Sequence, residues 1–71
     1  MDDLKGQFGK RIRALRKVKH MTQEQLAEVS DISVDFLSLI ERGKSGPSFE
    51  VIGRLARSLG VPVKELFDFD E

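Results

Sequence analysis

Apolar residues recur along the chain at intervals of three and four positions, with polar residues between them. In the first stretch, residues 4–18, the apolar positions are Leu4, Phe8, Ile12 and Leu15. This spacing puts all four side chains on one face of an α-helix, so we expect them to form a core stripe. Asp2 or Asp3 immediately precedes the stretch and can cap the helix.

Two helix starts follow in close succession. Thr22 stands three residues before Gln25, the capping-box spacing in which each side chain accepts a hydrogen bond from the other residue's backbone N–H. Ser33 begins the next helix in the same way. The pattern therefore predicts two short helices, residues 23–29 and 34–42, joined by a tight turn of small polar residues.

The inward positions of these two helices and their turn are few and regular. They are Leu26, Ala27, Ile32, Leu37 and Ile40. Ala27 is small enough to let the second helix cross the first at close range. Two helices joined in this way form a helix-turn-helix, whose second helix can lie in the major groove of DNA.

Two more helices are predicted towards the C-terminus. Ser48 is the expected N-cap of the fourth helix, and Gly60 ends it. The buried stripe of that helix is predicted to be Val51, Ile52, Leu55, Ala56 and Leu59. A short fifth helix, residues 61–67, begins near Pro62. The predicted fold is all-α: one compact five-helix domain over residues 1–71, with helices two and three as the helix-turn-helix.

Charge is unevenly distributed along the chain, although twelve Lys and Arg balance twelve Asp and Glu. Residues 1–20 carry seven basic side chains against two acidic ones, and residues 43–57 carry three against one. Residues 21–42 and 58–71 are acidic on balance. Positive charge thus brackets the helix-turn-helix, which suits one DNA-facing side with a modest electrostatic contribution to binding.

Several classes of function find no support in the composition. The chain has no cysteine and a single histidine, and His20 falls where a helix ends, so we expect a left-handed turn residue there. No nucleophile–base pair, metal-ligand cluster or glycine-rich phosphate loop is present. We therefore expect no enzyme, catalytic residue, metal, cofactor or small-molecule ligand.

The absence of membrane-length apolar runs, signal peptide and cysteine favours a soluble cytoplasmic protein.

Residue identities along the helix-turn-helix add a family resemblance. The motifs are Gln23-x-x-Leu26-Ala27, Ile32-Ser33, Leu37-Ser38-x-Ile40-Glu41-Arg42-Gly43, Pro47-Ser48, Leu59-Gly60-Val61 and Glu65-Leu66-Phe67. With this spacing, from about Phe8 to Phe67, the chain resembles the lambda-repressor/Cro-like helix-turn-helix family. The resemblance implies a transcriptional regulator that binds double-stranded DNA as a homodimer, on a roughly palindromic operator with half-sites about one helical turn apart.

The resemblance also implies which residues read bases. They lie at the start and on the outward face of the second helix of the motif: Ser33, Val34, Asp35, Ser38 and Leu39. Family members commonly carry Arg, Gln, Ser or Thr on this face, whereas this chain has one acid and two apolar residues. We therefore expect modest discrimination per contact, aided by DNA shape and by pairing of two half-sites. Leu39 is also compatible with an ordinary surface position.

Phosphate contacts are predicted around the motif. Lys10, Arg11 and Arg13 of the first helix are candidates by charge, although a solvated face would also explain them. The start of the second helix offers free N–H groups and the positive end of the helix dipole, and the resemblance places Gln23 against the DNA backbone there. The predicted phosphate residues are Lys10, Arg11, Thr22, Gln23, Arg42, Lys44 and Ser45.

Two further roles follow from the resemblance. Arg16 is expected to pair with Glu41 and so fix the angle of the recognition helix. Val63, Phe67 and Phe69 are expected to form a dimer contact, with the alternative that the two phenylalanines fold back on helix one.

A rival hypothesis is a protein-interaction module that keeps the fold but reads little DNA. Zero net charge and the poor hydrogen-bonding capacity of the reading face favour that rival.

Overall fold

The computed structural model describes residues 3–69, and within them every regular element is helical. The elements are α1 (Leu4–Val18), α2 (Gln23–Val29), α3 (Val34–Glu41), α4 (Phe49–Leu59) and a 3-10 helix (Val63–Phe67). The bounds of α1 to α3 agree with the prediction to within one residue, and α4 lies between its predicted cap and terminator. No helix in the described part is long and apolar enough to cross a membrane.

The prediction of a fifth α-helix is wrong. Val63–Phe67 is a 3-10 helix, in which the backbone N–H of Glu65 donates to the carbonyl of Pro62 at 2.9 Å. Asp68 is already extended, with φ −86° and ψ 91°. Five residues between a proline and an extended residue are too few for a stable α-helical nucleus, because each nucleus fixes several dihedrals for one bond. The described fold therefore has four α-helices.

Each α-helix begins at the predicted cap. A side-chain oxygen accepts a bond from the backbone N–H three residues later at Asp3, Thr22, Ser33 and Ser48. Asp2, the other candidate cap of α1, lies outside the described residues. The capping box is complete, because the backbone N–H of Thr22 also donates to Oε1 of Gln25 at 2.8 Å. His20 adopts the predicted left-handed conformation, with φ 60°, and Gly43 and Gly60 also adopt it, with φ of 75° and 71°.

The core lies where the four α-helices and the 3-10 helix meet. Its buried members are Phe8, Ile12, Leu26, Ala27, Leu37, Ile40, Leu55, Ala56, Leu59 and Leu66. Leu15 and Ile32 are partly buried against it. The prediction for Leu4 is wrong: this side chain is 63% exposed. Leu4 is the first residue of α1 and projects past the core onto the surface, beside Pro47 and Phe49.

Two glycines bring α1 into direct backbone contact with the end of α3. A Cβ on Gly9 would lie 2.2 Å from the carbonyl oxygen of Ile40 and 2.8 Å from that of Glu41. A Cβ on Gly43 would lie 3.0 Å from the Cα of Gly6. The distance between α1 and α3 is therefore set by glycine, because any side chain at position 9 would push the helices apart.

We expect Gly9→Ala to lower the free energy of unfolding by about 1–3 kcal/mol, the usual cost of overpacking a close contact. Gly53→Ala on α4 is the matched control, since its new Cβ would meet only the Arg57 guanidinium at 3.9 Å. The control should be neutral or stabilising by up to about 1 kcal/mol, because alanine favours helix. Urea unfolding followed by circular dichroism compares the two. Equal changes in both variants would contradict the close contact.

Candidate nucleic-acid interface

The outward side of α3 carries the predicted base-reading residues, with unequal accessibility. Asp35 is exposed, and Ser38 and Leu39 are half-buried. Val34 is half-buried and packs against the core. The hydroxyl of Ser33 is exposed but already accepts a backbone N–H of α3 as its cap. Asp35, Ser38 and the outer part of Leu39 therefore form the accessible face, which we call the reading face.

The inward side of α3 ends in a buried polar network. Arg16 Nε donates to Glu41 Oε2 at 2.7 Å, and Arg16 Nη2 donates to Glu41 Oε1 at 3.0 Å. Arg16 Nη1 donates to the carbonyl of Met21 at 2.9 Å. Gln23 Nε2 donates to Glu41 Oε1 at 3.0 Å. One carboxylate thus joins α1, α2 and α3, and the structure brings together the two residues expected to form a structural pair.

The role of Gln23 in this network was not foreseen from the sequence. One N–H of its side-chain amide donates to Glu41, which leaves the second N–H of Nε2 for the phosphate contact expected of it. Its backbone N–H belongs to the first turn of α2, where N–H groups have no acceptor inside the helix. A phosphate at this position could therefore accept from the main chain and from the second amide N–H. No local signal could reveal the bond, since its partner lies 18 residues further on.

The basic residues of α1 divide between two sides of the molecule. Arg11 donates from Nε to the carbonyl of Glu65 at 2.7 Å and from Nη2 to Glu65 Oε1 at 3.0 Å. Arg11 is therefore removed from the phosphate candidates, because its guanidinium is held against the 3-10 helix. Lys10 is exposed. Within the described chain it forms no hydrogen bond or ion pair, so it stays a candidate.

A polar groove of about 580 Å³ runs beside the reading face. Its walls come from α1, the start of α2 and the end of α3, and its lining residues are Arg13, Arg16, Met21, Thr22, Gln23, Glu24, Ser38, Glu41 and Arg42. Three of the predicted phosphate residues therefore meet around one reading residue, Ser38. We call this the polar groove.

The loop after α3 holds the remaining phosphate candidates. Lys44 is exposed and Ser45 is half-buried. The backbone N–H groups of both residues donate to the carbonyl of Leu39, at 2.9 and 3.4 Å. The backbone N–H groups at these two positions are therefore not free for a phosphate, because they close the C-terminus of α3. Only the side chains of Lys44 and Ser45 are available for a ligand.

The residues predicted for a dimer contact differ in exposure. Val63 is 47% and Phe67 38% exposed, whereas Phe69 packs against the core. The Phe67 ring centroid lies 5.1 Å from that of Phe8 on α1 and 6.2 Å from that of Phe69. Phe67 therefore contacts α1 while it still presents part of its ring to solvent, and Phe69 packs against the core and against the Phe67 ring.

A second groove, of about 770 Å³, opens beside Phe67. Its apolar lining consists of Leu4, Phe8, Pro47, Phe49, Ile52 and Phe67, and we call it the apolar groove. Phe49 is 91% exposed, and it is not among the residues whose function the sequence predicts. The available signal was its position: an aromatic residue at the start of α4, outside the stripe that packs inward.

Comparison with known proteins places the chain in a family. A helix-turn-helix family model matches residues 12–66, which include all of α2, α3 and α4. The chain therefore belongs to the helix-turn-helix family, of the Cro-like type that the sequence motifs indicate. The matched range contains the reading face, the buried Arg16–Glu41 pair and all the lining residues of the polar groove.

Individual relatives are regulatory proteins by name. Control protein C.BamHI of Bacillus amyloliquefaciens is 40% identical over 63 residues, covering 87% of this chain and 78% of that protein. The uncharacterized HTH-type transcriptional regulator YazB of Bacillus subtilis is 46% identical over 59 residues, covering 83% and 86%. The solved restriction-modification controller protein C.AhdI from Aeromonas hydrophila is 36% identical, with TM-score 0.87 and coverage of 89% and 96%. Other curated relatives are longer, and this chain spans 40–45% of their length.

Arg16→Met is expected to lower the free energy of unfolding by about 3–5 kcal/mol, because it leaves the buried carboxylate of Glu41 without its cation. The Glu41 side chain is only 3% exposed. Arg54→Met on α4 is the matched control: Arg54 also pairs with a glutamate, Glu50, at 2.8 Å, but that side chain is 75% exposed. This surface pair should contribute about 0.5 kcal/mol or less. Similar losses of unfolding free energy in the two variants, measured by urea unfolding, would show that the buried pair is no more costly to break than the surface pair.

Proposed function

We propose that the chain is a sequence-specific transcriptional regulator that binds double-stranded DNA as a homodimer, with α3 in the major groove of each half-site. Family membership makes it a helix-turn-helix regulator. The proposal that α3 enters the major groove rests on the position of this helix. Its C-terminal end is held by Glu41, while the reading face stays accessible beside the polar groove. We further propose that residues 1–71 act as one domain, in the cytoplasm.

Base recognition in this proposal rests on a small set of contacts. The Asp35 carboxylate can accept a hydrogen bond from cytosine N4, and Ser38 can bond several bases. Leu39, with the exposed part of Val34, can pack against a thymine methyl group. Ser33 acts mainly through its cap, which positions the first turn of α3. No middle position of α3 carries an arginine or lysine, so a bidentate guanine contact from there is excluded.

Backbone contacts supply the rest of the binding free energy. Thr22 and Gln23 present the start of α2 to a phosphate, and Lys10, Arg42 and Lys44 offer cations around the reading face. Ser45, half-buried after α3, contributes through its hydroxyl. Each phosphate neutralised releases condensed counterions, so affinity for any duplex must fall steeply as salt rises. The rival protein-interaction module predicts no such retention at low salt.

The decisive experiment is selection of bound sequences from a random duplex pool, followed by titration of the selected site. Asp35→Ala should change the preferred base at one position of each half-site, because Asp35 is exposed on the reading face and can accept a hydrogen bond from cytosine N4. Lys44→Ala should weaken selected and random duplexes by the same factor, since phosphates carry no sequence. A uniform loss with Asp35→Ala would show that the reading face is misplaced. No retention of any duplex at low salt would favour the protein-interaction module.

The dimer contact of this proposal centres on the apolar groove rather than on Phe69. Stable interfaces bury roughly 800 Å² per partner, about a sixth of the 4706 Å² surface. Phe49 alone can supply roughly 150–200 Å², and Leu4, Val63 and Phe67 add further apolar area. A two-fold contact must be complementary to itself.

Residues at the rim of the apolar groove carry charges of both signs, so two copies related by a two-fold axis can pair them. Lys5 follows Leu4 and Glu50 follows Phe49 along the chain. The Glu50 side chain is 75% exposed and pairs with Arg54 on its own helix at 2.8 Å, whereas Asp3 lines the groove together with Lys5. In a two-fold arrangement Lys5 of one copy can therefore face the acidic rim of the other. The apolar centre and the oppositely charged rim together support a second copy of the chain as the occupant.

Phe49→Ser should shift the protein towards monomer in sedimentation-velocity experiments, because it removes the largest exposed apolar side chain of the groove. Val29→Ser is the matched control, since Val29 is 60% exposed at the end of α2 and does not line the apolar groove. The control should keep the oligomeric state of the unmodified protein. Unfolding curves for both variants exclude a general loss of structure. A dimer that survives Phe49→Ser, or a monomeric unmodified protein at high concentration, would refute this contact.

A further inference from the structure

We infer that Arg13 and Arg42 bind one DNA backbone phosphate between them, in the polar groove beside Ser38. The inference rests on the proposed function and deepens it. It assigns to Arg13 a phosphate contact that charge alone could not distinguish from solvation, and it gives Arg42 a partner on another helix. The ligand is a phosphodiester of duplex DNA, recognised by guanidinium groups.

The three central arginines of α1 have different surroundings. Arg11 is bonded to Glu65 and Arg16 is bonded to Glu41, each through two nitrogen atoms. Arg13 is exposed. It forms no hydrogen bond or ion pair with any other residue in the range 3–69. It is therefore the one whose guanidinium is uncommitted within the described chain, and it lines the polar groove together with Arg16.

The helix register explains why Arg13 faces the groove. Residues three apart on a helix are neighbours on its surface, and Arg16 points at Glu41 near the end of α3. Arg13 therefore projects from the same side of α1, one turn nearer its start. Arg42 approaches from the other wall, where its Nε lies 3.4 Å from the carbonyl of Ser38. The two guanidinium groups line the groove from two different helices.

The electrostatics of the groove favour an anion between them. Glu41 lines the groove, but its carboxylate is already bonded to Arg16 and Gln23. Glu24, which is exposed, is then the one remaining acid of the lining, against Arg13 and Arg42. The Nη groups of Arg42 form no hydrogen bond within residues 3–69, while its Nε donates to the carbonyl of Ser38. A planar guanidinium can donate two parallel hydrogen bonds to a phosphate, which fixes orientation as well as adding attraction.

The proposed phosphate lies beside a base-reading residue, and this position affects how α3 is placed on DNA. Ser38 belongs both to the reading face and to the lining of the polar groove. A phosphate clamped there would lie on the strand adjacent to the bases that Ser38 can reach. The clamp would thus fix how deeply, and in which register, α3 enters the major groove. Phosphate contacts generally act in this positioning role.

The test is the salt dependence of binding to a random duplex, measured by fluorescence anisotropy for Arg13→Ala and Arg42→Ala. The slope of log affinity against log salt should fall in magnitude by about one for either variant, because one phosphate contributes roughly 0.9 on B-DNA. Arg57→Ala is the matched control: it removes the same charge from an exposed position on α4 outside the polar groove. Its slope should equal that of the unmodified protein.

A conservative variant and the unmodified protein complete the design. Arg13→Lys keeps the charge and should restore most of the slope, while thermal unfolding checks that each variant is folded. A slope for Arg13→Ala equal to that for Arg57→Ala overturns the inference, and so does a loss confined to Arg42→Ala. An unmodified protein without salt-dependent binding would instead overturn the proposed function, so the two failures are distinguishable.

Discussion

The buried carboxylate of Glu41 is the constraint on which the arrangement of α3 depends. It accepts bonds from Arg16 on α1 and Gln23 on α2, so three helices meet at one charge. A charge removed from water is tolerated only when it is paired and hydrogen-bonded. Any tilt of α3 that separated these groups would leave charges unpaired. The ion pair therefore works less as a source of stability than as a requirement on geometry.

The second constraint comes from glycine, which sets the distance between α1 and α3, whereas Glu41 sets the angle of α3. Gly9 lets the carbonyl groups at the end of α3 rest directly on α1, and Gly43 turns the chain sharply against Gly6. The loop that follows connects two surfaces: Gly43 and Gly46 line the apolar groove, while Lys44 between them is exposed. The proposed dimer and phosphate contacts thus share one short, conformationally restricted segment, so pairing of two copies and placement of the loop on DNA cannot be independent.

Local patterns predicted the helices well and the long-range contacts poorly. The capping box of Thr22 spans three residues, so its geometry is set by residues adjacent in sequence. The bond from Arg11 to Glu65 spans 54 residues, and only the assembled fold shows that this arginine faces away from the polar groove. The predicted fifth helix failed for a similar reason: Leu66 packs as expected, but packing does not require α-helical hydrogen bonds. The resemblance suggested the Arg16–Glu41 pair, whereas the part played by Gln23 needed the structure.

The weak hydrogen-bonding capacity of the reading face makes dimerisation a physical necessity for the proposed function. Asp35 is repelled by phosphates, Ser38 discriminates little between bases, and Leu39 can recognise only apolar groups. One copy would therefore bind a half-site weakly and with modest preference. Joining two copies makes the second binding event intramolecular, which raises overall affinity without any new contact to DNA. It also squares the ratio of affinities for the preferred half-site and for another sequence, because both half-sites must match at the spacing that the dimer imposes. An exposed phenylalanine that would be a liability on a monomer is then the feature that lets a poor reading face specify a site.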